Sequence, residues 1–111
     1  MVTEPLTPWV AGPVSDSEPR QTVEGLAALR TRIEQIDRDL IDLIAERAEI
    51  AREVGELKRQ LGLPVLDPSR EAAVVRRAGT LAREAGLPDE DVRYLFWHLV
   101  GLCRRAQLEG E

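Results

Sequence analysis

Aromatic residues are scarce in this chain: Trp9, Tyr94, Phe96 and Trp97 are the whole set in 111 residues. A core must therefore be assembled from Leu, Ile, Val and Ala, and an aliphatic, alanine-rich interior favours helices. Cys103 stands alone, so one chain can form neither a disulfide framework nor a cysteine zinc site, which fits a reducing compartment. No stretch approaches the roughly 20 apolar residues of a membrane span, and the first residues carry neither a basic n-region nor an apolar run. A soluble, unexported, cytoplasmic protein with no membrane partner is expected. Strand alternation, a glycine-rich phosphate loop and internal repeats are also missing.

Positive charge is the smaller share, 15 Lys and Arg against 20 Asp and Glu, which argues against nucleic acid as a partner because that binding needs net phosphate neutralisation. The length suits one domain. A domain this small buries a modest fraction of its own surface, so association with a second copy is a natural source of stability.

Residues 1–21 contain Pro5, Pro8, Pro13 and Pro19 among Ser, Thr and Gly, without apolar periodicity. They read as a flexible N-terminal tail ahead of a single domain over 22–111, with Trp9 and Val10 as the only features of a docking peptide. From Leu26 the pattern changes: Leu26, Leu29, Ile33, Ile36, Leu40 and Leu43, then Ile50, Val54, Leu57 and Leu61, recur at steps of three and four. This heptad stripe predicts one helix from about Thr22 to Gln60, ~55–60 Å long at 1.5 Å per residue. Such a helix outruns any core its own chain could supply, so it must pair with a second copy or serve as a coiled coil. Gly62 and Pro64 end it. Asp67, as N-cap, and Pro68 open a second helix that carries Val74, Val75, Ala78, Leu81 and Ala82 inward and stops at Gly86. Leu87-Pro88-Asp89 opens a third, whose apolar face is Val92, Leu95, Phe96, Leu99, Val100, Leu102 and Cys103. The fold class is all-α: three helices, one very long.

The informative residues are those that break the stripe. Where the heptad series calls for an aliphatic side chain it places Arg47, and an unpaired buried guanidinium is costly, so Arg47 either snorkels to water or meets an anion. Lys58 follows eleven residues later, close to three turns on, which puts both cations on nearly one face about 16 Å apart. Two cations facing one cavity suggest an anionic ligand. By themselves Asp67 is only a cap, and Arg70 and Glu71 only a solvated first turn. Gln107 continues the inward face of Phe96, Val100 and Cys103 but is polar where packing wants Leu. His98, the sole histidine, is a packing or surface residue: on one helix it diverges from Cys103 by about 140°, so no Cys-His dyad forms locally.

Leu29-Arg30, Ile33, Ile36-Asp37, Leu40, Leu43-Ile44, Glu46-Arg47, Val54-Gly55, Lys58, Pro64-Val65, Asp67, Arg70-Glu71, Leu95-Phe96 and Gln107 together resemble the small all-helical chorismate mutases over roughly residues 24 to 108. The resemblance implies rearrangement of chorismate to prephenate in aromatic amino-acid biosynthesis, without cofactor or metal, in an intertwined homodimer with shared active sites. Position by position, it places substrate contacts on Arg30 of the partner chain and on Arg47, Lys58, Asp67, Arg70, Glu71, Cys103 and Gln107 of the home chain. Cys103 stands where some of these enzymes have Ser, exchanging a good hydrogen-bonding hydroxyl for a weak thiol, and Gly101 stands where an acidic residue is common.

The implied reaction is an intramolecular [3,3] Claisen rearrangement in which an ether C–O bond breaks as a C–C bond forms. No proton, hydride or acyl group moves, so the catalyst supplies a compact conformer and stabilises charge on the ether oxygen. Under this reading Arg30 and Arg47 clamp the two carboxylates bidentately. Lys58 and Gln107 donate to the ether oxygen, Glu71 and Asp67 receive or position the ring hydroxyl, and Arg70 orients the nearby carboxylates. Two other readings stay open at this level. One is a non-catalytic helical dimerisation module, with Arg47 and Gln107 setting register. The other is a relative of the same fold acting as an isochorismate-pyruvate lyase or an aminodeoxychorismate mutase. The sequence leaves a regulatory partner enzyme unidentified.

Overall fold

The computed structural model describes residues 22–109. The expected tail over 1–21, with Trp9 and Val10, lies outside the described residues. Three helices follow one another, α1 over Val23–Leu61, α2 over Pro68–Glu84 and α3 over Asp89–Gln107, with no strand among the described residues.

Each boundary has a local cause. Thr22 Oγ1 accepts from the Gly25 amide at 2.9 Å and so satisfies one of the amides that a helix start leaves without a partner. No proline interrupts the next 39 residues. At the far end Gly62 takes φ +72°, its amide reaches the Arg59 carbonyl at 3.2 Å, and the Leu63 amide reaches the Lys58 carbonyl at 2.8 Å. This paired closure needs a left-handed residue, which glycine supplies without strain. Helix α2 ends the same way: Gly86 has φ +80°, and Leu87 donates to Ala82 at 2.8 Å. It starts on Asp67, whose Oδ1 accepts from the Arg70 amide at 3.1 Å, with Pro68 in the first turn. Asp89 opens α3 between Arg83 at 2.7 Å and Arg93 at 3.1 Å. The hydrogen bond from Arg83, helped by the charge of Arg93, holds its carboxyl below the usual value.

The chain divides into two compact units, Met1–Leu43 and Ile44–Glu111. The described part of the first is the N-terminal half of α1, where Leu26, Ile33, Ile36, Leu40 and Leu43 are 46–61% exposed. Its apolar stripe is uncovered in a single chain.

In the second unit the core is built from small residues. Ala48 and Ala51 of α1 pack with Cys103 and Ala106 of α3, backed by Leu99, and Ala78 and Ala82 of α2 are buried. Gly55 is required at its position, because a Cβ there would collide with the backbone carbonyl of Gln107. That close approach seats the end of α3 on α1. The alanine surface differs in part from the expected inward faces: Leu81, Leu95 and Leu102, read as core, are 49%, 66% and 38% exposed. Small side chains let these helices approach closely, so the larger ones are carried to the flanks. His98 is exposed, edge-on to Tyr94 and Trp97 at 5.2 and 5.1 Å between ring centroids.

Candidate active site

Within the second unit the three helices enclose a pocket of about 420 Å³. Helix α1 contributes Arg47, Ile50, Ala51, Val54 and Lys58, positions separated by three, one, three and four residues that therefore share one face. Asp67, Arg70, Glu71 and Val74 come from the cap and first turns of α2, and Val100, Cys103, Arg104 and Gln107 from α3. The floor is aliphatic and the walls are charged. Four cations face two carboxylates, so the lining carries excess positive charge although the whole chain has a net charge of −5. A dianion is attracted at this range, since charges elsewhere on the surface are screened within about 8–10 Å.

Arg47 does not snorkel away. Its Nη1 donates to Cys103 Sγ at 2.9 Å across the α1–α3 contact, which leaves most of its fork for a ligand. Lys58 donates from Nζ to the Val65 carbonyl at 3.1 Å and so ties down the α1–α2 loop. Asp67 is committed through one oxygen to the α2 cap. The Gln107 side-chain amide takes no bond from a described residue, while its backbone carbonyl accepts from Arg59 Nη1 at 3.0 Å. Arg59 also reaches the Glu109 carbonyl at 3.1 Å. A guanidinium at the last carbonyls of α3 satisfies acceptors that the helix leaves open.

Seven of the eight sequence-predicted positions, Arg47, Lys58, Asp67, Arg70, Glu71, Cys103 and Gln107, thus line one cavity. Arg30 does not line it and is exposed on the N-terminal half of α1. Two residues escaped the sequence reading. Arg104 grips Glu71 through Nε and Nη2 at 3.0–3.2 Å, and Arg59 anchors the backbone of Gln107. The spacing of Arg104, four after Val100 and three before Gln107, was a usable signal. Arg59, beside Lys58 near a helix end, gave none.

A larger hollow of about 650 Å³ lies along Glu49, Arg52, Glu53, Glu56, Arg59 and Glu109. Its carboxylates outnumber its cations and already pair with them, as Arg52 does with Glu109 at 2.6 Å. It does not suit an anion.

The profile of the chorismate mutase type II family matches residues 29–108. The chain belongs to that family. The matched span contains every residue of the cationic pocket. Among curated proteins the chain is similar to a chorismate mutase of Methanocaldococcus jannaschii, 49% identical over 49 residues that make up 44% of this chain and 50% of that one. It is also similar to a T-protein of Enterobacter agglomerans, 47% identical over 53 residues, 48% of this chain and 14% of that one. A 4-amino-4-deoxychorismate mutase of Streptomyces pristinaespiralis is 34% identical over 70 residues, 63% of this chain and 50% of the relative. The chain thus spans about half the length, or less, of these curated relatives. No solved structure gives a significant match. Among the described residues no helix is long and apolar enough to cross a membrane, and no cluster of His, Cys, Asp or Glu could hold a metal ion.

Proposed function

We propose that this chain is a chorismate mutase that converts chorismate to prephenate in aromatic amino-acid biosynthesis, working as a homodimer with shared active sites. The observation that carries the proposal is the pocket itself, in which cations from α1, α2 and α3 converge over an aliphatic floor in a chain of this family. The substrate is a dicarboxylate with an enolpyruvyl ether. Arg47 binds one carboxylate through the donors that Cys103 leaves unused, and the partner's Arg30 binds the other. Arg70 adds charge at the pocket mouth. Holding both ends closes the substrate into the compact conformer that reacts.

Lys58 and the Gln107 amide donate to the ether oxygen, where negative charge grows as the C–O bond breaks. These bonds strengthen in the transition state and so lower the barrier instead of merely tightening binding. The ring hydroxyl lies against Glu71, with Asp67 positioning it. The rearrangement transfers no proton or hydride, and all of these roles are met by charge and position.

The homodimer is supported by the uncovered stripe of α1. Leu26, Ile33, Ile36, Leu40 and Leu43 are each about half exposed. Covering them against a second copy would contribute on the order of 1 kcal/mol per side chain, which favours association of two long helices. Incubating the purified protein with chorismate and following loss of its absorbance tests the activity. Turnover without added metal or cofactor is the expected result. An inert, folded dimer would leave the helical interaction module as the reading. The similarity to a 4-amino-4-deoxychorismate mutase makes the amino counterpart the informative second substrate.

A further inference from the structure

Of the two carboxylates in the pocket, Asp67 spends one oxygen on the α2 cap. Glu71 is held differently. Arg104 approaches it side-on, Nε lying 3.2 and 3.1 Å from its two oxygens and Nη2 3.0 Å from Oε1. Two parallel donors fix the plane of a carboxylate as well as its place. The pair is only partly screened, with the Glu71 side chain 24% and the Arg104 side chain 38% exposed. Nothing on α3 competes for this guanidinium from the side of Gly101: a Cβ there would lie 4.0 Å from Arg104 Nη1, in ordinary contact, and glycine offers no acceptor. Hydrogen bonding and charge from Glu71 hold Arg104 more firmly protonated than a free guanidinium.

We propose that Arg104 is a specificity-determining positioning residue, which aims Glu71 into the pocket and balances its charge so that the ring substituent facing it must be a neutral hydroxyl and not an ammonium. The inference rests on the proposed reaction and on Glu71 meeting that substituent. A lone carboxylate would favour an ammonium, because opposite charges attract and the ammonium donates more strongly. With a guanidinium already on the carboxylate that preference is cancelled, and the incoming cation meets a second cation a few ångströms behind its acceptor. A hydroxyl needs only an oriented lone pair, which the side-on grip leaves at the pocket face. Arg104 touches no reacting atom under this account and acts through Glu71.

The test compares the protein with its Arg104→Met and Arg104→Lys variants on chorismate and on 4-amino-4-deoxychorismate at neutral pH. The readout is kcat/KM, or an inhibition constant where the amine is bound but not turned over. Arg104→Met should lose about tenfold on chorismate, mostly in KM, and hold or gain on the amine, so that selectivity moves by tenfold or more toward the amine. Arg104→Lys keeps the charge without the fork and should restore most of the discrimination. Should the methionine variant unfold, Arg104→Gln, polar and of similar reach, gives the same comparison. Equal losses on both substrates in a folded variant would overturn the proposal and leave Arg104 a structural tie. If the unmodified protein acts on neither substrate, the proposed reaction fails and takes this inference with it. An active protein with unchanged selectivity removes the role of Arg104 alone.

Discussion

Under the proposed function Lys58 has two duties that a substitution separates. Its bond to the Val65 carbonyl is a partly exposed structural contact of about 1 kcal/mol, whereas donation to a developing oxyanion is worth about 3–4 kcal/mol of barrier. Lys58→Ala should therefore cost a few degrees of thermal stability and a hundredfold or more in kcat, with helicity retained by circular dichroism. Near-normal turnover in the folded variant would remove Lys58 from the mechanism. Read from the sequence alone, Lys58 carries no structural bond, because its acceptor is a loop carbonyl that no side-chain pattern announces. Gln107 is the complementary case, an amide that donates at any pH. Gln107→Glu could donate only when protonated, so its activity should rise as pH falls toward the ordinary carboxyl range and fade as pH rises. A flat profile between about pH 5 and 8 would mean that residue 107 does not reach the ether oxygen. Pocket positions were legible where polarity broke the apolar stripe, as at Arg47 and Gln107. Supporting contacts were hidden where a charged residue looked ordinarily solvated. Arg59 reads as a surface arginine until the Gln107 carbonyl is brought beside it, whereas Arg104 was marked by its spacing from Val100 and Gln107.

Helix boundaries were the most legible feature, since each rests on chemistry local to the chain: Thr22 as cap, Gly62 and Gly86 in the left-handed region, Asp67-Pro68 as a start. Which face turns inward was less so. Periodicity marks Leu81, Leu95 and Leu102 as apolar positions but cannot say that alanines take the inner contacts. Packing by Ala48, Ala51, Ala78, Ala82 and Ala106 sets a close helix spacing, and Gly55 is its tightest point. Gly55→Ala forces a methyl against the Gln107 carbonyl and pushes the end of α3 off α1. Overpacking of this kind costs about 1–3 kcal/mol, offset slightly by the better helix propensity of alanine. The variant should unfold several degrees lower and lose activity beyond what its stability explains, since the displaced residue is Gln107 itself. Unchanged melting and turnover would show that α3 can shift freely and that its seat on α1 does not position the amide.

At the scale of the whole molecule, a single chain leaves apolar surface on α1 uncovered. Its large aliphatic side chains on α1 remain about half exposed, its buried core is made chiefly of alanines, and no described side chain is fully buried. The long heptad stripe raised the expectation of a second copy, and the pocket of one chain is lined by seven of the eight expected positions without Arg30. If the missing clamp comes from the partner's Arg30, each site combines that residue with Arg47, Lys58 and Gln107 of the home chain. Complementation measures this. Arg30→Ala and Lys58→Ala should each be nearly inactive, and their chains should be co-expressed or refolded together, because helices that share a core exchange only through unfolding. In a mixed dimer one site carries both lesions and the other carries none. Random pairing of equal amounts makes half of all dimers mixed, each with one intact site of two, so roughly a quarter of wild-type chorismate turnover should return. A mixture that stays as inactive as its parents, although differently tagged chains are recovered together, would contradict the shared-site account.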